Sequence, residues 1–269
     1  MATEQSQPDP RPLAWPVPRL TRERLIQIAL VVLVLLIWEI VGRNVGAFFL
    51  APPSASVASV NEMIESGDLP TALQESLYGL AVGFAIALLI ALVLGTLMGW
   101  FSAFGETINP YISAIYVVPI AALVPLLVLW FGIGMTPRII TIVLFSVFEM
   151  TIATATAIRE VDQRLIEMAR TFGGKPTQIF RKVVFFDALP VIFTGVRIGI
   201  GRAVQGMITA EVLFAVTGLG GLIITYASVY RLDKMFVIIV LIALIGVLLA
   251  ESVRLIEYWL TPWKRHSNP

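Results

Sequence analysis

Along most of this chain apolar residues run on in unbroken blocks, separated by short polar stretches. A helix rising about 1.5 Å per residue needs about 20 such residues to cross about 30 Å of hydrocarbon. Six segments meet that requirement. The first, 25–42, is interrupted only by Gln27 and Glu39; residues 76–105 and 107–137 carry no charge at all. Residues 139–158 hold Glu149 alone, and 188–216 hold Arg197, Arg202 and Glu211. The sixth, 235–260, ends in Glu251, Arg254 and Glu257 beside Tyr258 and Trp259, the mark of an interfacial end. The pattern predicts an all-α integral membrane protein of six transmembrane helices. It divides the chain into a tail (1–22), a first span (23–44), a loop with an amphipathic segment (45–75), a core (76–262) containing a polar loop (159–187), and a second tail (263–269).

Two spans carry packing signals. The second has a small residue at every fourth position, Gly79, Gly83, Ala87, Ala91, Gly95 and Gly99, a row that lets another backbone approach closely and predicts a central helix. The third contains Pro110, Pro119 and Pro125; each removes a backbone donor, so kinks and unpaired carbonyls are expected, which either bend the helix or line a wet pathway.

Composition agrees with the pattern and removes some functions. The chain is 58% apolar with a mean hydropathy of +0.88, beyond the roughly 45–50% apolar usage of soluble domains. A net charge of +1 lacks the dense basic face that nucleic-acid binding needs. There is no cysteine, and the single histidine is His266, so disulfides, thiolate metal sites and histidine-centred catalysis are not expected. Basic residues gather in the N-terminal tail (Arg11, Arg19, Arg22, Arg24), the loop 159–187 (Arg159, Arg164, Arg170, Lys175, Arg181, Lys182) and the C-terminal tail (Lys264, Arg265). Six spans put all three on one side, which the positive-inside rule makes cytoplasmic. The Pro-rich stretch before Thr21 is expected to be disordered. A cleaved signal peptide over 1–47 is the weaker reading, because its apolar run exceeds the 7–15 residues of a signal core.

The loop 159–187 is too ordered in pattern for a plain connection. Asp162 suits an N-cap, and Leu165, Met168, Ala169 and Phe172 follow at helical spacing as an apolar stripe. Gly173-Gly174 suits a helix end and Pro176 a new start, after which Ile179, Phe180 and Val183 face inward and Gln178, Arg181 and Lys182 outward. Glu167-Met168-Ala169, three residues, Gly173, nine residues and Val183-Val184-Phe185-Phe186 resembles the signature loop of permease subunits of binding-protein-dependent ATP-binding-cassette importers, whose pattern is Glu-Ala-Ala, three residues, Gly, nine residues, Ile-x-Leu-Pro. AALVPLLVLWFGIG in the third span and residues 189–223 also resemble the branch that handles nitrate, sulfonates, taurine, bicarbonate and aromatic acids. Met168 stands where alanine is usual and Phe186 where proline is, with Pro190 one turn later as a substitute bend.

The resemblance implies a type I importer permease fold in the cell inner membrane, a homodimer with two cytoplasmic ATPase subunits and an external solute-binding protein. The loop would be the coupling helix: Glu167 and Arg170 make charged contacts, Met168, Ala169 and Phe172 meet the ATPase groove, and Gly173 permits the turn. ATP and magnesium would sit on the partner, with no cofactor on this chain. Its own residues agree, since Gly173-Gly174-Lys175 lacks the spaced glycine and the Ser or Thr of a phosphate-binding loop.

An ionisable group in a span usually faces a protein interior or a wet cavity. Arg197, within about two turns of the basic loop, is expected to snorkel. Arg202 and Glu149, with Gln205, Met207, Glu211 and the prolines Pro119 and Pro125, are candidate pathway residues; alternatively Arg202 pairs with Glu149, or with Glu211 of a neighbouring helix, and only holds spans together. Gly218, Gly220 and Gly221 allow a tight turn after the fifth span, followed either by a segment re-entering the pathway mouth as a gate or by a flexible loop. Other readings are a stand-alone secondary transporter, for which no inverted repeat is found, and an intramembrane enzyme, for which no reactive cluster is found. Within the importer class a small anionic solute is expected from Arg202, with a neutral or cationic vitamin precursor as the alternative.

Overall fold

The computed structural model describes residues 22–46, 49–214 and 217–263, with side chains from residue 25. Nearly all of each expected tail lies outside the described residues. Eleven α-helices and one π-helical turn are found among them: α1 Arg22–Val45, α2 Pro53–Glu65, α3 Asp68–Trp100, α4 Ser102–Val117, α5 Ile120–Phe131, α6 Met135–Arg159, α7 Gln163–Thr171, α8 Pro176–Ile179, the π turn Phe180–Val184, α9 Phe185–Phe214, α10 Gly218–Ser228 and α11 Leu232–Leu260. Five helices are long and apolar enough to cross a membrane, and the pair α4 and α5 makes a sixth crossing with a 90° bend.

Local chemistry sets the breaks. Pro53 begins α2 at a position where its missing N–H costs nothing. Gly67, at φ +79, turns the chain from α2 into α3. The second span is longer than its charge-free core, starting at Asp68 and stopping at Trp100, so Gly105 belongs to α4. Of the three prolines in the third span only Pro119 breaks it, because Val118 before it is held extended (ψ 129°); Pro110 and Pro125 stay inside α4 and α5.

The crossings alternate between two sides. One carries α2, α10 and the starts of α3, α6 and α11; the other carries α7, α8 and the end of α11, and is called the loop side below. At the centre lies α6, packed between α3 and α9, which corrects the expectation that the second span is central. The row of small residues on α3 is what α6 packs against. A Cβ at Gly83 would lie 2.7 Å from Ile142 Cγ2, at Gly95 2.6 Å from Thr154 Cβ, and at Gly99 2.7 Å from Ile158 Cβ. A second row, unnoticed in the sequence, lines α9: Gly195 abuts Ala153, Gly199 abuts Met150, and a Cβ at Gly206 would lie 2.8 Å from Phe145 Cβ. The buried hydroxyls of α6 donate to carbonyls one turn back, Thr141 to Pro137, Ser146 to Ile142, Thr151 to Val147 and Thr154 to Met150, so these four hydroxyls are satisfied within their own helix.

By contrast α1 is almost wholly exposed. It joins the rest near its second end, where Trp38 Nε1 donates to the Ala51 carbonyl, Glu39 accepts from the Ser54 amide and hydroxyl at the start of α2, and Trp38 meets Phe236 edge-on at 5.1 Å. Helix α2 is clasped to α11 by Glu62, which accepts from Lys234 at 2.8 Å and Arg231 at 3.1 Å. Those two hydrogen bonds, Lys234 first, hold the Glu62 carboxyl below the usual carboxylate range, so the clasp is charged at neutral pH.

Gly95→Ala should test the central contact, since its methyl would also lie 2.8 Å from the Thr151 carbonyl, which is backbone and cannot swing away. Overpacking of that kind costs roughly 1–3 kcal/mol. A lower melting temperature in detergent is expected, with Gly246→Ala on α11, where a Cβ has open space, unchanged.

Candidate functional site

Three constellations stand out, one on the α10 side, one at mid-depth and one on the loop side. The first surrounds Glu211, which is 0% exposed. Ser76 of α3 donates to Glu211 Oε1 at 2.7 Å and itself accepts the Leu219 amide at 2.9 Å; the Gly220 amide donates to Oε2 at 2.9 Å. Arg138 of α6 donates to Oε1 at 3.5 Å and, through Nη2, to Thr217 Oγ1. The first turn of α10 thus presents one free amide to the buried carboxylate directly and another through the Ser76 hydroxyl, where the helix dipole favours negative charge. Here the glycines find their reason. Gly218 has φ +80, and a Cβ on it would lie 2.5 Å from Glu211 Cδ; one on Gly220 would lie 2.6 Å from Glu211 Cβ. Gly221 is buried one residue later. The segment beyond is neither long enough to cross nor irregular: it is the 11-residue helix α10, lying against α3, α9 and α11.

The second constellation joins α4, α6 and α9 beside the Pro119 break. Arg202 Nε donates to Glu149 Oε1 at 2.7 Å, Tyr116 donates to the same oxygen at 3.0 Å, and Arg202 Nη1 donates to Gln205 at 3.3 Å. With Val118, Ile120, Phe145 and Phe148, the residues Tyr116, Glu149 and Arg202 line a cavity of about 260 Å³. Glu149 Oε2 is buried without a hydrogen-bond partner, while the Arg202 side chain is 45% exposed. Arg202 thus makes the expected pair with Glu149 and at the same time lines this cavity. Glu211 and Met207 do not join them: Glu211 sits in its cradle, and Met207 is buried against Leu80 and Ile142. Pro125 lies inside α5, beyond the break. Tyr116 escaped the sequence reading because nothing in an apolar span marks one tyrosine out. Arg138 and Ser76 escaped it too, because each stands far along the chain from Glu211. Arg197 does not snorkel freely; its Nη2 donates to Glu257 Oε2 of α11 at 2.5 Å.

The third constellation is the polar loop. Asp162 caps α7 by accepting the Arg164 amide at 2.9 Å. Ile166 and Ile179 are buried over Val184, Ala188 and Ile192, with Ala169 and Phe180 partly covered. Gly173 takes φ +76 with open space around it, and a Cβ on Gly174 would lie 2.8 Å from the Ala169 carbonyl. Gln178 accepts the Lys175 amide as α8 begins. The expected stripe divides: Leu165 and Ala169 turn inward with Ile166, while Met168 and Phe172, the latter 90% exposed, turn outward beside the exposed Glu167 and Arg170. Ile166 went unnoticed because the stripe was counted from Leu165. The irregularity expected near Pro190 is instead the π turn, and α9 runs through Pro190 as one helix.

The chain is thus a bundle of six crossings with a charged cavity at mid-depth and a structured polar loop on one side, a multi-pass membrane protein. Residues 87–266 match the family described as the binding-protein-dependent transport system inner membrane component, and the chain belongs to that family. SsuC of Bacillus subtilis, named for aliphatic sulfonate transport, is 33% identical over 86% of this chain and 84% of its own. The taurine transport system permease protein TauC of Escherichia coli is 29% identical over 94% of each chain. Among solved structures, an inward-facing form of the MetNI methionine ABC transporter superposes with a TM-score of 0.61 at 21% identity, covering 70% of this chain and 94% of that one, which establishes a shared fold.

Removing one partner from a buried ion pair costs about 3–5 kcal/mol. Glu211→Ala, which strands Arg138, is therefore expected to lose most folded protein on detergent extraction, measured by size-exclusion recovery. Glu251→Ala, which breaks an exposed i, i+3 pair with Arg254, should leave recovery within error.

Proposed function

We propose that this chain is the membrane-spanning subunit of an ATP-driven importer that carries a small solute with an anionic group, of the nitrate, sulfonate, taurine, bicarbonate or aromatic-acid kind, across the inner membrane from the α10 side to the loop side. The observation that carries the reading is family membership over residues 87–266, which include the folded loop with its two outward apolar side chains. In this reading the loop side is cytoplasmic, as are both ends of the chain. Two copies pair across the pathway, and the exposed Val117, Leu129, Trp130 and Ile133 on and beside the bent third crossing supply apolar surface for that contact. Two ATPase subunits dock on α7, where Met168 and Phe172 enter a groove and Glu167 and Arg170 flank it. ATP and magnesium belong to those subunits. A solute-binding protein delivers cargo at the α10 side, where α10 and its glycines close over Glu211 as a gate. The solute then passes the Tyr116, Glu149 and Arg202 cavity.

A neutral or cationic vitamin precursor is the second reading of the cargo. It is favoured by likeness to the riboflavin transport system permease protein RibX of Chloroflexus aurantiacus, 34% identical over 59% of each chain.

Gly173→Asp places a side chain at a left-handed backbone position next to the docking surface. Substrate-stimulated ATP hydrolysis in reconstituted vesicles is expected to vanish, with membrane insertion intact; normal coupling would refute the docking role. Arg202→Gln should leave the complex assembled yet lower uptake at least severalfold. Lost assembly would show instead that Arg202 only braces α6 against α9.

A further inference from the structure

A groove of about 410 Å³ opens between the loop-side end of α3 and the return of the polar loop, lined by Thr96, Trp100, Phe101, Pro176, Thr177, Phe180 and Arg181. Nothing in the proposed transport cycle uses it. Its chemistry is divided. Trp100 and Phe180 meet edge-on at 4.9 Å and with Phe101, half exposed, form an apolar wall. The mouth is polar: the side chains of Arg181, Thr177 and Thr96 have no hydrogen-bond or ion-pair partner among the described residues. The groove lies at the loop-side end of α3, and the loop-side end of α11 with the residues just after it carries further aromatic residues, Tyr258, Trp259 and Trp263, the last against Phe186 at 5.6 Å; such residues collect at membrane–water interfaces.

A soluble anion would satisfy the arginine but leave the aromatic wall wet, and a neutral lipid would cover the wall but leave the arginine unpaired. We propose that the groove holds one anionic phospholipid, its phosphate on Arg181 and Thr177 and the upper part of one acyl chain along Thr96, Trp100, Phe101 and Phe180. The occupant ties the end of α3 to the π turn, where helical hydrogen bonding is already loosened, and so steadies the loop that carries α7. Basic pockets of this kind between membrane helices bind acidic headgroups. The site rests on this chain being a membrane protein, and it requires neither transport nor a docked ATPase.

The test is native mass spectrometry of the full-length chain released from detergent, titrated with phosphatidylglycerol, with phosphatidylcholine of the same acyl chains, and with inorganic phosphate. One phosphatidylglycerol per chain is expected at concentrations where the other two do not bind. Arg181→Gln should weaken it about fivefold or more, in line with the worth of one basic residue at a membrane surface. Thr96→Phe, which fills the groove and keeps the charge, should displace it as well, and Lys182→Gln, one residue from the mouth, should not. Equal retention of both lipids, equal loss in the Lys182 variant, unchanged binding in both groove variants, or phosphate bound as firmly as lipid would each overturn the proposal. Because the readout needs no partner, failure of the importer reading would leave this result standing, and the reverse.

Discussion

Everything else in this fold depends on how closely three helices approach. Association in a bilayer gains little from hydrophobicity, because lipid tails are as apolar as leucine, and it is driven instead by packing at short range. Glycine rows on α3 and α9 let α6 come within contact of both backbones. That approach brings Ser76, Arg138 and Glu211 from three helices within hydrogen-bonding reach on the α10 side. It also sets Glu149 opposite Arg202 at mid-depth. Bulkier residues in either row would separate these groups and leave charges unpaired in a medium that cannot solvate them.

Much of the architecture was legible because a membrane imposes a simple rule on length and polarity. The blocks at 139–158 and 235–260 lie within helices of 25 and 29 residues. The cap at Asp162, the turn at Gly173 and the start at Pro176 were legible because each depends on one residue and its immediate neighbours. What escaped was relational. The row on α3 announced a close neighbour without saying which. The neighbour, α6, hid its role behind threonines and serines whose hydroxyls are satisfied within its own helix. The three prolines of the third span looked alike, yet only Pro119 breaks the helix.

The ionisable residues show the same limit. Glu149, Arg202, Gln205, Met207 and Glu211 formed one set in the sequence, since all interrupt or adjoin apolar runs. In space they divide between a cavity with an exposed arginine and a carboxylate sealed at the far end of the same helix, while Met207 is plain core. Glu211 and Arg202, nine residues apart, cannot share a face of one helix, so this division was foreshadowed. The partners that decide it, Ser76 and Arg138, lie 135 and 73 residues from Glu211. No local pattern reaches so far.

The return from the polar loop through α8, the π turn and α9 is one helical stretch of 39 residues, Pro176 to Phe214, about 58 Å if fully extended as a helix. One end adjoins the Gly173-Gly174 turn that follows α7, and the other carries Glu211 in its cradle. One rod thus reaches from the Gly173-Gly174 turn on one face of the membrane to the cradle on the other, so a push delivered across that turn would need no relay of side chains to reach Glu211. The π turn interrupts α-helical hydrogen bonding near the start of that rod, which makes it the place where a twist would be absorbed before it crossed the membrane.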